Sequence, residues 1–544
     1  MIFEIQTRPE QFEAFKRGGL WPNRLLTDYF DDTLTAAPDR PAVIGYESQA
    51  GSRIAHSYAS LNRKVERIAL GLIEIGIAPG DVVSAQLPNY WQLTALYLAC
   101  VRIGAVLNPL MPIFRQRELS FMLPFAQAKA VFVARRYRDF DYPDMIEALH
   151  PDLPEITHVF VIDGPDFAGL EAQLPQSTRD PAAEFAARKP SPNDVSLLMY
   201  TSGTTGEPKG VMHTHNTLIS NDLQFAARIE LDGSDCVLMA SPLAHLTGFL
   251  YGLMMPVVLG GTSVLMDIWD PAQAARIIQD EAVTFTMGST PFVTDLSNTP
   301  ALDECDVSSL RIFLTAGAPI PRVLVKHATQ RLGAMIIAAW GMTENGAVTM
   351  TRPGDPPDRV FGSDGGPIEG MEVRVVDGDG VAVENGDEGR LQTRGMANFV
   401  GYLKRPELFA TDAEGWFETG DLARMQDDGY IRISGRSKDV IIRGGENIPI
   451  VEVEELLYRH PAIVDAAIVA MPDARLGERA CAFVTLKPGE SLSFTAMVAH
   501  LESHKMAKTY LPERLEIIDA MPRTPSGKIQ KFHLREKAAG LRAN

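Results

Sequence analysis

At 544 residues the chain exceeds what one hydrophobic core supports, since single cores stop growing near roughly 250–300 residues, so at least two domains are expected. Its 45% hydrophobic and 22% charged residues argue against a disordered or fibrous chain, and a net charge of −18 argues against broad nucleic-acid binding, which needs a basic face. Four scattered cysteines (Cys100, Cys236, Cys305 and Cys481) form no CxxC pair, which argues against a disulfide framework and a zinc site.

In chain order, the N-terminal residues lack the apolar core of a secretory signal, and a cytoplasmic protein is expected. Apolar runs of strand length then alternate with helical patterns. Strands are expected at Asp81–Leu87, Ala105–Leu110 and Ala130–Ala134, with helices at Tyr90–Ile103 and Arg117–Gln127. Pro175–Asp194 reads as a polar connecting segment, and Val195–Tyr200 as a strand before a helix capped by Asn216. The uncharged stretch Phe249–Met266 has the length of a membrane span, but Pro256 and Gly260-Gly261 break it into a buried helix, a turn and a strand. The βα rhythm continues through Thr262–Met266, Thr284–Met287, Ile312–Thr315 and Ala334–Ala338, and implies parallel or mixed sheets covered by helices. From Val373 short alternating strands with tight Asp-Gly turns take over. An α/β pattern resumes with helix Val451–His460, strands Asp465–Ala470 and Ala480–Leu486, and helix Phe494–His504. The expected fold is α/β. Residues 1–435 form a large domain of mixed α/β sheets with a small β-barrel-like subdomain, and residues 436–544 a small, mobile α+β domain.

The string Tyr200-Thr201-Ser202-Gly203-Thr204-Thr205-Gly206-Glu207-Pro208-Lys209-Gly210 leaves an apolar strand. Its glycines, hydroxyls and lysine are groups that can hold a polyphosphate. Composition alone also fits a surface loop. It is not a Walker A loop, because Lys209 follows Pro208 and precedes Gly210.

This string resembles the phosphate-binding signature of the adenylate-forming superfamily, and the resemblance continues in order along nearly the whole chain. Thr315-Ala316-Gly317-Ala318-Pro319, Trp340-Gly341-Met342-Thr343-Glu344 (Trp340 standing for the usual tyrosine), Gly389–Gly401 with Tyr402 through Pro406-Glu407, Trp416–Asp421, Gly435–Asp439 and Pro522–Lys528 each resemble one of its motifs. The resemblance implies an ATP-dependent acid–thiol ligase that adenylates a carboxylic acid and passes the acyl group to coenzyme A.

It further implies ATP or AMP contacts from Thr201, Ser202, Gly203, Thr204, Thr205, Gly206, Lys209, Gly317, Ala318, Pro319, Trp340, Gly341, Met342, Thr343, Asp421 and Arg436. Glu344 is implied to hold Mg²⁺, a hard cation that prefers oxygen ligands, and Lys528, with Thr204, Glu344 and His245, to serve catalysis. From the residues alone, Glu344 also reads as a helix N-terminal glutamate, Asp421 as a turn aspartate, Arg436 as a surface arginine, His245 as a satisfied buried histidine, and Lys528 with Lys531 as a solvated basic tail. Lys438 matches the family's hinge position, and Arg443, Gly444, Gly445 and Glu446 resemble its CoA-binding loop, with Pro449 displaced from the common pattern.

The implied acyl pocket comprises His245, Thr247, Tyr251, Met287, Ala316, Gly317, Gly341, Met342 and Ala347. No aspartate occurs in Pro242–Leu259 to meet a substrate ammonium, so an apolar acid is expected. The runs Ile441–Glu454, Tyr458–Pro461 and Met471–Arg479 resemble the alicyclic and medium-chain acid ligases, which makes cyclohexanecarboxylate the first acid to test. An aryl acid, a carrier-protein thiol acceptor, a luciferase-type oxidation and a membrane-attached binding protein are the alternatives. No nucleic-acid partner and no membrane span are expected, and a homodimer is possible.

Overall fold

Buried strands separated by amphipathic helices assemble here into two large sheets around a shared core, with a smaller unit at the C-terminus. The structure, a computed structural model, describes residues 3–164, 167–201, 208–316, 322–437, 439–443, 446–473, 475–524 and 527–542. One large sheet runs Gly401–Tyr402, Lys209–Thr214, Val195–Thr201, Val106–Pro109, Val82–Gln86, Ala128–Ala134, His158–Ile162. Its pairs are parallel from Val195–Thr201 outward and antiparallel on the Gly401–Tyr402 side. The other runs Gly366–Pro367, Gly346–Met350, Met335–Met342, Ile312–Ala316, Phe285–Gly288, Cys236–Met239, Thr262–Met266, Pro41–Glu47, Ser52–Ser57, parallel through its interior. The helix Trp91–Ile103 is buried on almost every residue, as its continuous apolar sequence requires, and stops at Gly104 with φ 71°.

The Phe249–Met266 stretch folds as expected. A π-helical turn at Phe249–Met254 continues into the helix Met255–Leu259, Gly260 ends it at φ 75°, and the strand Thr262–Met266 follows. Among the described residues no helix is long and apolar enough to cross a membrane. The four cysteines are unbridged.

Three expectations need correction. Pro175–Asp194 contains a helix, Pro181–Arg188, started by Asp180, whose carboxylate accepts the Ala182 N–H, and by Pro181 in the first turn. The string after Val195–Thr201 does not lead straight into a helix. Lys209–Thr214 forms a strand antiparallel to Val195–Thr201, and Thr214, not Asn216, caps the helix His215–Arg228 by accepting the Thr217 N–H. The barrel-like subdomain is an open antiparallel sheet of Met371–Val376, Glu388–Gly395, Phe417–Met425 and Ile431–Arg436, whose first and last strands do not pair. Closure is unnecessary because Val375, Leu391, Ala423 and Ile431 cover one face by joining the main core.

The small unit owns its core. In the paired strands Ile463–Asp473 and Gly477–Leu486, Ala466, Ile468, Ala480, Ala482 and Val484 face one layer, with the helices Ile450–Tyr458 and Phe494–Ser503. The alternate residues Ala467, Val469, Met471, Cys481 and Phe483 face the helix Lys531–Ala538. This is the period-two alternation of a sheet covered on both faces.

Candidate active site

The parallel strands Phe285–Gly288, Ile312–Ala316 and Met335–Met342 deliver their carboxyl ends to one place, where open α/β sheets characteristically bind ligands. Met335–Met342 turns back through Thr343–Asn345 into Gly346–Met350. The turn is over-determined. Met342 N–H donates to Asn345 Oδ1 (3.0 Å), and Asn345 N–H donates back to the Met342 carbonyl (3.1 Å). Gly346 has φ 65° and lies so close to Asn221 that a Cβ would come within 2.7 Å of its Oδ1. The buried Asn221 amide donates to the Asn345 and Ala347 carbonyls at 3.2 and 2.9 Å, bolting the hairpin to the helix His215–Arg228.

This clamp presents Glu344 on a hairpin turn, not on a helix. Its buried carboxylate accepts the Tyr402 hydroxyl at 2.7 Å, and its carbonyl accepts the Phe399 N–H at 2.7 Å. His213 Nε2 donates to the Thr343 carbonyl at 2.8 Å, and burial holds that imidazole down to about 4. The Lys209 ammonium sits 4.7 Å from the Tyr402 ring centroid. Burial raises the Glu344 pKa above the ordinary carboxylate value, against the pull of the Tyr402 hydrogen bond and the charges of Lys209 and Arg436. A divalent cation at Glu344 would relieve this. Among the described residues no group of three or more His, Cys, Asp or Glu forms a protein-only cage. A single carboxylate suits Mg²⁺, which takes most of its ligands from phosphate and water.

Asp421 lies beside the hairpin on Phe417–Met425. Its Oδ2 accepts Trp340 Nε1–H at 2.9 Å, and its Oδ1 pairs with Arg436 Nε at 3.0 Å. Each oxygen keeps a further lone pair for a ribose hydroxyl. Trp340 and Arg436 thus orient Asp421.

Lys528 comes from the other side. Its loop is closed by Lys528 N–H donating to Thr524 Oγ1 (3.0 Å), Thr524 N–H to the Lys528 carbonyl (2.8 Å) and Gly527 N–H to the Thr524 carbonyl (2.8 Å). Gly527, at φ 86°, packs so closely on Ser289 that a Cβ would lie 2.2 Å from its Oγ. The half-buried Lys528 ammonium therefore sits in electrostatic range of Arg436, Asp421, Glu344 and His245. Burial and Arg436 push its pKa down, while Asp421 and Glu344 oppose the shift. The basic-tail reading fails at Lys531 as well, whose Nζ is 2.7 Å from the buried Glu454 carboxylate.

His245 caps the short helix Leu246–Gly248, with Nδ1 accepting the Thr247 N–H at 3.3 Å. Burial, then the Lys528 charge, holds it down to about 4, so it is neutral at pH 7. Behind it Tyr251 stacks on Phe225 with centroids 3.9 Å apart, donates its hydroxyl to Asn221 Oδ1 (2.7 Å) and accepts the Ala347 N–H (2.8 Å). Tyr251, Met287 and Ala347 are buried, whereas Thr247, Ala316, Gly341 and Met342 are partly exposed. In Gly341 a Cβ would strike the Gly346 carbonyl at 1.9 Å.

Thr201 ends its strand at the site, while Ser202, Gly203, Thr204, Thr205, Gly206, Gly317, Ala318, Pro319, Lys438, Gly444, Gly445 and the Glu446 side chain lie outside the described residues. Arg443 is on the small unit's sheet, its guanidinium engaged by Glu513 at 2.7 and 3.1 Å. Sequence reasoning missed Tyr402, Asn221, His213 and Asn345 as site residues. Only Tyr402 had a signal, since it follows Gly401 in one of the motifs.

Residues 30–403 match the family described as AMP-binding enzyme, and residues 452–528 match the AMP-binding enzyme C-terminal domain. A medium-chain fatty-acid–CoA ligase of Escherichia coli is 39% identical over 96% of this chain and 92% of its own length. A salicylyl-CoA synthase / salicylate adenylyltransferase of Streptomyces is 31% identical over 98% of this chain and 97% of its own. The crystal structure of ATP-bound MatB from Rhodopseudomonas palustris superposes with a TM-score of 0.83 at 27% identity, covering 94% of this chain and 99% of that one.

Proposed function

Because the chain belongs to the AMP-binding enzyme family, and is an AMP-forming acid–thiol ligase using ATP, Mg²⁺ and coenzyme A, we propose that its acid is an apolar alicyclic or medium-chain carboxylate, cyclohexanecarboxylate foremost. The observation that carries the proposal is the Tyr251–Asn221–Ala347 network. The Tyr251 hydroxyl donates to Asn221 and accepts from Ala347, so this part of the wall offers no free donor or acceptor to a polar acid tail. A wall whose polar groups are spent on one another selects by shape and not by hydrogen bonding.

In the first half-reaction a carboxylate oxygen attacks the α-phosphorus of ATP, the bond to the β-phosphate oxygen breaks, and pyrophosphate leaves. Lys528 bridges the incoming carboxylate and the α-phosphate, and its lowered pKa reflects a desolvated cation whose charge acts strongly there. Asp421 accepts the ribose hydroxyls in the orientation set by Trp340 and Arg436. Glu344, steadied by Tyr402, would hold Mg²⁺, which would supply neutralisation of phosphate charge when bound. In the second half-reaction the sulfur of CoA attacks the acyl carbon and AMP leaves. His245, being neutral, gates that path without setting a second cation beside Lys528. Residues 1–435 and 436–544 act as the two units, Lys438 as the hinge between them, and Arg443 to Glu446 as the segment that meets CoA after rotation.

A panel of linear, alicyclic and aryl acids with CoA, scored by AMP release, tests the reading. Highest kcat/KM for cyclohexanecarboxylate or a medium-chain acid supports it. Highest kcat/KM for benzoate or a cinnamate moves the assignment to the aryl alternative, and turnover only with a carrier-protein thiol removes CoA as acceptor.

A further inference from the structure

We propose that the N-terminal segment is a working part of the metal and phosphate side of the site, with Gln6 as a positioning residue for Glu344. The inference rests on the ligase reading above. Gln6 lies ahead of the residues that match the family, yet it is attached to the strand that orients the metal-binding carboxylate.

The short strand Gly401–Tyr402 is the edge of its sheet, pairing on one side with Met212 and Val211. An edge strand presents N–H and C=O groups with no strand beyond them. Gln6 supplies what the missing strand would. Tyr402 N–H donates to Gln6 Oε1 at 3.0 Å, and Gln6 Nε2 donates to the Tyr402 carbonyl at 3.0 Å. A primary amide carries a donor and an acceptor side by side, as this pairing demands. Gln6 N–H adds a third bond, to the Val400 carbonyl at 2.7 Å. Gly401 makes room for it: at φ 144° a Cβ there would lie 2.5 Å from the Gln6 amide carbon.

The strap is anchored around Gln6: Phe3 and Ile5 ahead of it pack against the main core, and the residues after it are tied down too. Trp21 Nε1 donates to the Met396 carbonyl at 2.9 Å, and Phe12 and Phe15 pack on the Trp21 ring with centroids 4.8 and 5.4 Å away. Arg8 reaches the Ala413 carbonyl at 2.9 Å. From Tyr402 the chain of contact continues to the site, through its hydroxyl on Glu344 at 2.7 Å and its ring beneath Lys209. Without Gln6 the backbone of Tyr402 is tethered on one edge only, and its hydroxyl leaves Glu344 for part of the time. A metal held to the protein through one carboxylate is sensitive to how that carboxylate is oriented.

The test uses full-length Gln6→Ala, Tyr402→Phe and the double variant. Two quantities are read: the rise in Tm that ATP produces in Mg²⁺ and in EDTA, and the Mg²⁺ dependence of pyrophosphate release. In Gln6→Ala the Mg²⁺-dependent part of the ATP stabilisation shrinks, and the half-saturating Mg²⁺ concentration rises about threefold to tenfold, below the range for groups that touch a metal ligand directly. Its ATP shift in EDTA, and its conversion of a supplied acyl-adenylate to thioester, stay at wild-type values. Adding Gln6→Ala to Tyr402→Phe changes the Mg²⁺ dependence little further, because both act through one hydroxyl. If Gln6→Ala fails to fold, Gln6→Glu, which keeps the acceptor and loses the donor, carries the same test. A Gln6 variant that lowers Tm yet leaves the Mg²⁺ dependence unchanged, or whose effect adds fully to that of Tyr402→Phe, overturns the proposal. A wild-type protein that releases no pyrophosphate with any acid overturns the ligase reading instead.

Discussion

The hairpin carrying Glu344 and the loop carrying Lys528 reach the same site from different units, and they are held there by very different amounts of structure. The hairpin is fixed by Asn345 across its turn, by Asn221 from a neighbouring helix and by Tyr402 on the carboxylate. The Lys528 loop is ordered within itself, but it rests on the large unit through Gly527 on Ser289 and through the ammonium itself. A further link is the part-buried ion pair of Arg432 and Glu455 at 3.5 Å. On the proposed reading the metal and ribose side is built before substrate arrives, whereas the lysine is docked and withdraws between the two steps. A two-step ligase needs that asymmetry, because the adenylating cation must withdraw before a thiol can enter.

The comparison can be broken first at the hairpin. Glu344→Gln keeps the shape and removes the charge, and adenylation is expected to fall by at least about 10²-fold, measured as pyrophosphate release. A loss that excess Mg²⁺ restores in full would show that the carboxylate is not a dominant ligand. The docking side is tested by Gly527→Val, which meets both the 2.2 Å approach to Ser289 and the positive φ. Adenylation is expected to fall on the order of tenfold or more while thioesterification of a supplied acyl-adenylate persists. Equal loss of both half-reactions would contradict a purely docked lysine.

A smaller effect sharpens the contrast from outside the site. Asp222 is fully buried on the helix His215–Arg228, neither of its carboxylate oxygens has a partner among the described residues, and burial raises its pKa well above the ordinary value. An acid whose folded pKa is raised binds more protons folded than unfolded, so it costs stability progressively as pH rises above the unfolded value near 3.8. Asp222→Asn removes this linkage. Its stability advantage over the wild type is expected to grow with pH by up to about 1.4 kcal/mol per unit, read from denaturant midpoints between pH 5 and 8. The ratio of the two half-reactions stays the same, because the docking surface is untouched.

The parts of this arrangement that were legible in the sequence are those with a local cause. Periodicity located the buried strands and the broken apolar stretch at Phe249–Met266, and Gly and Pro marked their ends. The motif residues Glu344, Asp421, Arg436 and Lys528 were legible as members of ordered strings, and they converge on one site. What failed was whatever depends on partners distant in sequence. Lys209–Thr214 is short and ambiguous in period, and becomes a strand between Val195–Thr201 and the distant Gly401–Tyr402. The late strands stay an open sheet because the main core covers one face. Asn221 and Gln6 look like any polar residues until the fold sets one against a hairpin and the other against a sheet edge 396 positions away.

The most direct test of the account is to measure both half-reactions of Lys528→Ala on the acid the panel selects. Pyrophosphate release is expected to drop about 10³-fold or more, while transfer from a supplied acyl-adenylate to coenzyme A proceeds at close to the wild-type rate. Pyrophosphate release at the wild-type rate would contradict the claim that this docked cation drives adenylation.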